Sequence, residues 1–178
     1  MILILTKKET MNNESILSRI QEYFGSEIIS SEVNFGILTI EISAAKSFEI
    51  IEWLNKDEIL DCSYLTLLGG VHYPESLNRE FAIVYHLHSW RKNYRLRLKV
   101  FVPSENPSVR SIVSIYNGAN WMERETFDFY GIIFEGHPNL KRILNMDDMD
   151  YFPMRKEYAL EDETREDKDD RFFGRSSN

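Results

Sequence analysis

Tyr94-Arg-Leu-Arg-Leu-Lys-Val-Phe-Val102 alternates without a break. Tyr94, Leu96, Leu98, Val100 and Val102 share one side, and Arg95, Arg97 and Lys99 share the other. A period of two with one apolar and one polar side is the pattern of a pleated strand covered on one face only. Just upstream, Phe81-Ala-Ile-Val-Tyr-His-Leu-His88 repeats it, with Phe81, Ile83, Tyr85 and Leu87 set against Ala82, Val84, His86 and His88. The intervening Trp90-Arg91-Lys92-Asn93 is of hairpin length, so the two runs are predicted to pair antiparallel in a sheet with one wet face.

Working outward, Cys62 to Val71 is an apolar, β-branched run interrupted at Gly69-Gly70, which predicts a third strand with a bulge or bend at the glycines. Further upstream, Ile16, Leu17, Ile20 and Phe24 recur at helical spacing between cap candidates Asn12 and Asn13 and a stop at Gly25. Phe35 to Ile42 alternates weakly and predicts a strand after a turn at Asn34. Ser43 is placed to cap a second helix whose Phe48, Ile51 and Leu54 share a face, leaving Lys46, Glu49 and Lys56 wet. Downstream, Pro103 and Pro107 end the sheet. Val109 to Tyr116 and Ala119 to Tyr130 read as helices split near Asn117-Gly118. In the second, Trp121, Glu125 and Phe129 share a side, and Arg124 and Asp128 form an i, i+4 pair of opposite charge. Helices and strands are too segregated for a doubly wound sheet. The fold class is α+β, a mostly antiparallel sheet with helices on one face, followed by an extended irregular C-terminal arm.

The division falls after residue 130: an α+β domain over 1–130, an arm over 131–178, and an acidic tail from about 161. Beyond Gly131 no period persists, and Gly136, Pro138 and Pro153 punctuate the chain. Yet Phe134, Leu140, Ile143, Leu144, Met146, Met149, Tyr151, Phe152, Met154 and Tyr158 make it too apolar for a solvated tail. Such a segment recovers its ordering entropy by lying along another surface, its own domain or a partner.

Composition narrows the function. A net charge of −8 argues against non-specific nucleic-acid binding, which needs clustered Lys and Arg. The single cysteine, Cys62, forms no internal disulfide, points to a reducing compartment, and alone holds neither an iron–sulfur cluster nor a structural zinc. Met1-Ile-Leu-Ile-Leu5 is too short for a signal core, and no stretch approaches a membrane span.

The stretch Trp121-Met-Glu-Arg-Glu-Thr-Phe-Asp-Phe-Tyr-Gly-Ile-Ile-Phe-Glu-Gly-His-Pro-Asn-Leu-Lys-Arg-Ile-Leu144 resembles the signature of the C subunit of complex I, the thirty-kilodalton subunit in mitochondria. The matching positions are Glu123, Arg124, Glu125, Asp128, Tyr130-Gly131-Ile132, Gly136-His137-Pro138 and Lys141-Arg142. A later family segment matches Pro153-Met154-Arg155-Lys156-Glu157-Tyr158. Two departures stand out: Asn145 to Phe152 replaces a Pro-acidic-acidic-Trp-x-Gly run, and Ala159 replaces a proline.

The resemblance implies a non-catalytic assembly subunit in the hydrophilic arm of a proton-translocating NADH:quinone oxidoreductase. It would dock chiefly on the D subunit, with the B and I subunits nearby, in a hetero-oligomer. Iron–sulfur clusters, FMN and quinone would sit in those partners and no cofactor in this chain. The place implied is peripheral, on the cytoplasmic side of a bacterial inner membrane or the matrix side of an organelle. The alternative is a homologous subunit of a membrane-bound hydrogenase or ferredoxin-linked dehydrogenase.

The residues themselves admit other sites. Glu123, Glu125 and Asp128 resemble an acid/base cluster, but Glu123 and Glu125, two apart on a helix, do not face each other. Arg124 is expected to neutralise its neighbours and fix the helix-to-arm junction. His86 and His88 share a strand face without an evident third metal ligand, and His137 before Pro138 reads as a hydrogen-bonding turn residue. The Arg95, Arg97, Lys99 stripe has only Phe101 as an aromatic on its face, against an RNA-reading sheet. The tail from Glu161 to Arg171 carries seven acidic and three basic residues, the composition of a solvated run, and Phe172-Phe173-Gly174-Arg175 after it is either a short docking hook or nothing.

Overall fold

The computed structural model describes residues 11–158. The apolar run Met1–Leu5, Ala159, the acidic tail and the Phe172-Phe173 hook lie outside the described residues. The elements run α1 (Asn13–Phe24), β1 (Ile28–Asn34), β2 (Ile37–Ile42), α2 (Ser47–Lys56), β3 (Tyr64–His72), β4 (Phe81–Ser89), β5 (Tyr94–Val102), β6 (Ser108–Arg110), α3 (Ala119–Tyr130) and β7 (Ile133–Glu135).

The hairpin read from the alternation is the centre of the fold. β4 and β5 pair antiparallel from Phe81 opposite Val102 to Ser89 opposite Tyr94. β3 adds antiparallel to β4, β2 lies parallel to β5, and β1 closes the far edge, giving the order β1-β2-β5-β4-β3. The class is α+β with a mostly antiparallel sheet. The inward row of Phe81, Ile83, Tyr85, Leu87, Leu96, Leu98 and Val100 is buried with Ile16 and Ile20 of α1 and Ile50, Ile51 and Leu54 of α2. Burying each such side chain contributes about 1.5–3 kcal/mol before entropy is charged against it. The opposite face carries the exposed Arg95 and the half-buried Arg97, Lys99 and Phe101.

One strand went unread and three local expectations are corrected. β1 carries no alternation because most of it is exposed at an edge, so no apolar row marked it. Ser43 does not cap α2: its side chain makes no cap bond, and a 3-10 turn over Ala44–Lys46 precedes the helix. Gly69-Gly70 is neither bulge nor bend, since the register shift falls between Leu65 and Leu67. Gly70 instead lets α3 cross β3, because a Cβ there would stand 2.6 Å from Tyr130 Cδ2 and 3.1 Å from Thr126 Cγ2. Val109 to Tyr116 is not a helix. β6 pairs parallel with β7, and Ile112 to Tyr116 makes one turn closed by Tyr116 N–H to the Ile112 carbonyl. A pairing between positions 108 and 133 leaves no local trace in sequence.

Candidate docking site at the end of helix α3

The predicted helix over Ala119–Tyr130 forms as read and ends at Gly131, whose φ of +76° and N–H bond to the Phe127 carbonyl make a left-handed C-cap. A side chain there would collide with the arm: its Cβ would stand 2.5 Å from Phe152 Cε2 and 2.7 Å from Arg155 Nη2. The glycine thus serves the turn and the close approach together.

Two buried carboxylates on α3 face different regions. Glu123 is fully buried toward the sheet domain. It accepts from the Ser111 hydroxyl at 2.6 Å and the Ile112 N–H at 2.7 Å, tying the segment after β6 to the helix. Desolvation pushes its carboxyl up to about 7, against the pull of those two bonds. Burial, and secondarily the Glu123 charge, push the Tyr85 hydroxyl well above its usual range, and it finds no hydrogen-bond partner among the described residues.

Asp128, also fully buried, turns toward the arm. It accepts from the N–H groups of Ile143 (3.0 Å), Leu144 (2.8 Å) and Asn145 (3.0 Å), from Asn145 Nδ2 (3.0 Å) and from Arg142 Nη1 (3.0 Å). Desolvation works upward on it, but the Leu144, Asn145 and Ile143 donors prevail and hold it well below the usual carboxylate range. Glu125 is exposed. The three acids therefore serve different surroundings instead of converging on one reacting point.

Arg124 does not pair with Asp128, as its i, i+4 spacing predicted. Asp128 is turned into the arm, where several fixed donors outbid one side chain on the helix surface. Arg124 donates Nε to the Lys141 carbonyl (3.1 Å) and Nη2 to the Arg142 carbonyl (3.2 Å), with its guanidinium 4.9 Å from the Trp121 ring centre. It fixes the helix to the arm through backbone carbonyls and not by neutralising Glu123 or Asp128.

Arg142 is the hub. Besides Asp128 it reaches the Asp128, Met149 and Tyr151 carbonyls at 3.0, 2.9 and 2.9 Å, while its guanidinium stacks on Phe152. Arg155 donates to the Tyr130 carbonyl at 2.8 Å and lies between the Phe81 and Phe152 rings, 5.0 and 4.8 Å from their centres. The Lys156 N–H donates to His72 Nδ1 at 2.9 Å, and His72 is buried and stacked on Phe81. Burial lowers the His72 pKa, which keeps that nitrogen free to accept. His137 Nδ1 accepts from the Asn139 N–H, so Nε2 donates to the Asn120 carbonyl at 3.1 Å, and Gly136 before it takes φ +81°. Pro138 and the Lys141 side chain are exposed and Pro153 is half-buried. Tyr158 leans on Tyr151, with ring centres 4.9 Å apart.

The arm's apolar residues divide. Ile132 and Phe134 are buried in the domain and Leu140 packs against it. Leu144, Met146, Tyr151, Met154 and Tyr158 remain 38–69% exposed. Among the described residues, no group of three His, Cys, Asp or Glu is placed to hold a metal, and His86 Nε2 accepts from Arg97 Nε at 3.0 Å. No helix among them is long and apolar enough to cross a membrane. Sequence reading missed His72, Ser111, Tyr85 and Phe152 as members of this junction. Each belongs through a contact distant along the chain, and only Gly70, conspicuous inside a strand, advertised that something packs there.

Comparison with known proteins gives the family and the fold. The family described as respiratory-chain NADH dehydrogenase, 30 Kd subunit, matches residues 40–164. The NADH-quinone oxidoreductase C subunit of Sinorhizobium medicae is 41% identical over 82% of this chain and 71% of its own length. That of Roseiflexus castenholzii is 38% identical over 84% and 86%, and that of a Nocardioides species 42% over 76% and 55%. The solved trypsin-resistant fragment (1–134) of Nqo5 superposes with a TM-score of 0.62 at 28% identity, over 73% of this chain and 100% of that one. A chain of the membrane-bound sulfane sulfur reductase, an archaeal respiratory membrane complex, shares the fold with a TM-score of 0.66 at 22% identity, over 83% and 85% of the two chains. With its signature residues assembled around the end of α3 and its sequence matched over most of its length, this chain belongs to the 30 Kd subunit family of the respiratory-chain NADH dehydrogenase, the family of the NADH-quinone oxidoreductase C subunits.

Proposed function

We propose that this chain is a non-catalytic structural and assembly subunit in the hydrophilic arm of a proton-translocating NADH:quinone oxidoreductase. One observation carries the reading. The arm from Leu140 to Tyr158 is tied to its own domain through Arg142, Arg155 and the N–H groups of Ile143, Leu144, Asn145, Met154 and Lys156, yet presents Leu144, Met146, Tyr151, Met154 and Tyr158 outward. Exposed apolar side chains displayed on a hydrogen-bonded segment fit a surface held ready for another protein. The partner is chiefly the D subunit, with the B and I subunits nearby.

The cofactors fall to those neighbours. Cys62, the chain's single cysteine, is buried and shares a hydrogen bond with the Tyr94 hydroxyl, and burial pushes its thiol up to about 12, which suits core packing and not cluster ligation. Electrons would pass through clusters held by the partners, and this chain would contribute by positioning them. The setting is peripheral, on the cytoplasmic side of the inner membrane, or the matrix side in an organelle.

The test is a tagged pull-down from gently solubilised membranes, comparing the natural chain with Arg124→Ala and Leu144→Asp. Both variants should lower the amount of assembled complex and leave the turnover of what assembles unchanged. Wild-type assembly with reduced turnover would overturn the scaffold role. Recovery of hydrogenase or ferredoxin-linked subunits in place of an NADH-oxidising module would keep the role but assign it to a different complex.

A further inference from the structure

Gly69 serves no contact among the described residues. It sits in the interior of β3, where a glycine loosens the strand and offers no side chain to pack. Its φ is not positive, and the register shift of β3 falls between Leu65 and Leu67. A Cβ added to it would meet no described atom within 4 Å. Gly70 admits α3 from the covered face, whereas Gly69, its neighbour in the strand, faces the other way. A strand glycine that is neither bulge, bend nor internal packing site marks a close approach from outside.

The surroundings of Gly69 are amphipathic. Gly69, Val84 and Lys99 lie abreast across β3, β4 and β5, and Leu67, His86 and Arg97 form the next row. Leu67, Gly69, Gly70, Val71 and Val84 floor a shallow trough of about 300 Å³, and Arg97 and Lys99 wall it. The outer side of a one-face-covered antiparallel sheet is ordinarily polar and solvated. Here it holds Leu67, 48% exposed, beside a row of cations in a chain of net charge −8. Arg97 donates to His86, a neutral acceptor, and Lys99 approaches Glu32 at 3.7 Å. Arg95 is exposed and has no ion-pair partner among the described residues.

The sheet itself dictates the shape of what fits there. β4 lies between β3 and β5, and β5 between β4 and β2, so both backbones are paired on either side. A segment lying on this face must satisfy its own backbone, which a helix does and an extended strand does not. From β3 to β5 is about 10 Å, the width of one helix. Alternate residues of β5 stand roughly 7 Å apart, and helix positions four apart stand about 6 Å apart. Carboxylates at that interval match Arg95, Arg97 and Lys99 in sign and in spacing.

We propose that the open face of the sheet is a second docking surface, taking an acidic amphipathic helix of a neighbouring subunit laid along β4. Its apolar stripe fills the trough, its backbone comes close over Gly69, and its carboxylates lie over Arg95, Arg97 and Lys99. Assigning the helix to a neighbouring subunit rests on the assembly role proposed above.

The test uses the full chain within the complex isolated from gently solubilised membranes. A photoreactive benzoylphenylalanine replaces Leu67 in one preparation and Leu144 in another. The probe at Leu67 should form an adduct with one neighbouring subunit, on a peptide whose Asp or Glu residues recur at helical spacing beside an apolar stripe. Arg95→Glu/Arg97→Glu should cut that adduct by roughly tenfold or more, and so should Gly69→Leu, while the Leu144 adduct stays. The isolated Gly69→Leu chain should melt no lower than the natural one, because the new side chain meets open space. An adduct with lipid, with another part of this chain, or with a segment lacking the acidic pattern would overturn the proposal. So would an adduct that survives both sets of substitutions, or a Gly69→Leu chain that melts lower. A Leu144 adduct without a Leu67 adduct overturns this proposal alone, and the absence of both overturns the assembly role with it.

Discussion

In the sheet, β4 and β5 turn Phe81, Ile83, Tyr85, Leu87, Leu96, Leu98 and Val100 into the core and pair their backbones with each other. In the arm, residues 140–158 reverse that arrangement. Backbone N–H groups, carbonyls and arginines turn inward, to Asp128, Tyr130 and His72, while Leu144, Met146 and Met154 turn out. The sheet is ordered by the hydrophobic effect, which is non-directional and proportional to area. The arm is held largely by directional hydrogen bonds to Asp128, the Tyr130 carbonyl and His72, with Leu140 and Phe152 as its inward apolar contacts. A segment held in that way keeps its apolar side chains available. α3 joins the two regions, with Glu123 serving the sheet domain and Asp128 serving the arm.

The largest expected effect tests whether the arm's order really hangs on one carboxylate. Asp128→Ala strips partners from Arg142 and from three backbone N–H groups, and breaking a buried pair of this kind costs roughly 3–5 kcal/mol. Hydrogen exchange should show Ile143–Asn145 losing protection while β4 and β5 keep theirs. Simultaneous loss in the sheet would show that the two regions are one cooperative unit. Because the folded Asp128 titrates below its ordinary 3.8, its contribution is present above that value and lost only as pH falls through the lower folded one.

Glu123 predicts the opposite slope. Its folded pKa of about 7 lies above the ordinary 4.5, so its contribution is complete below 4.5 and lost as pH rises through about 7. A shift of that size corresponds to about 3 kcal/mol. Glu123→Gln keeps the shape and should flatten denaturant-midpoint curves between those values, leaving the variant the more stable at alkaline pH. An unchanged slope would remove Glu123 as its source.

Gly131→Ala should cost about 1–3 kcal/mol from the left-handed φ and the collision with Phe152 and Arg155. The loss should appear as faster proteolysis within 140–158 before any change in the sheet's circular dichroism. At the small end, Leu144→Asp should move the isolated chain's stability by no more than about 0.5 kcal/mol, since the side chain is exposed. A large destabilisation there would mean that Leu144 already serves this chain's own core.

Legibility followed the same divide. The strands at 81–89 and 94–102, α1 and α3 were readable because their periods reflect one buried face. β1 was invisible because an exposed edge imposes no alternation, and β6 because three residues pairing across the chain carry no period. The arm was recognisable as ordered but irregular from its apolar content, and its matching residues were visible through the family signature. The i, i+4 spacing of Arg124 and Asp128 misled, since spacing ranks neighbours on one helix and knows nothing of a segment arriving from position 142. His72 and Ser111 had no signal at all, being a lone histidine and a lone serine until a distant backbone reached them.

By itself the sequence determined the sheet's covered face, the helix that ends at Gly131, the charge of the tail and the family, because each is written in local periodicity or in a contiguous motif. Only the tertiary structure decided which carboxylate meets which donor, that Gly70 admits α3, and that the arm keeps its apolar side chains outward. Those outcomes depend on groups tens of residues apart arriving at one place, where desolvation raises Glu123 while the arm's donors overcome desolvation and lower Asp128, five residues further along the same helix.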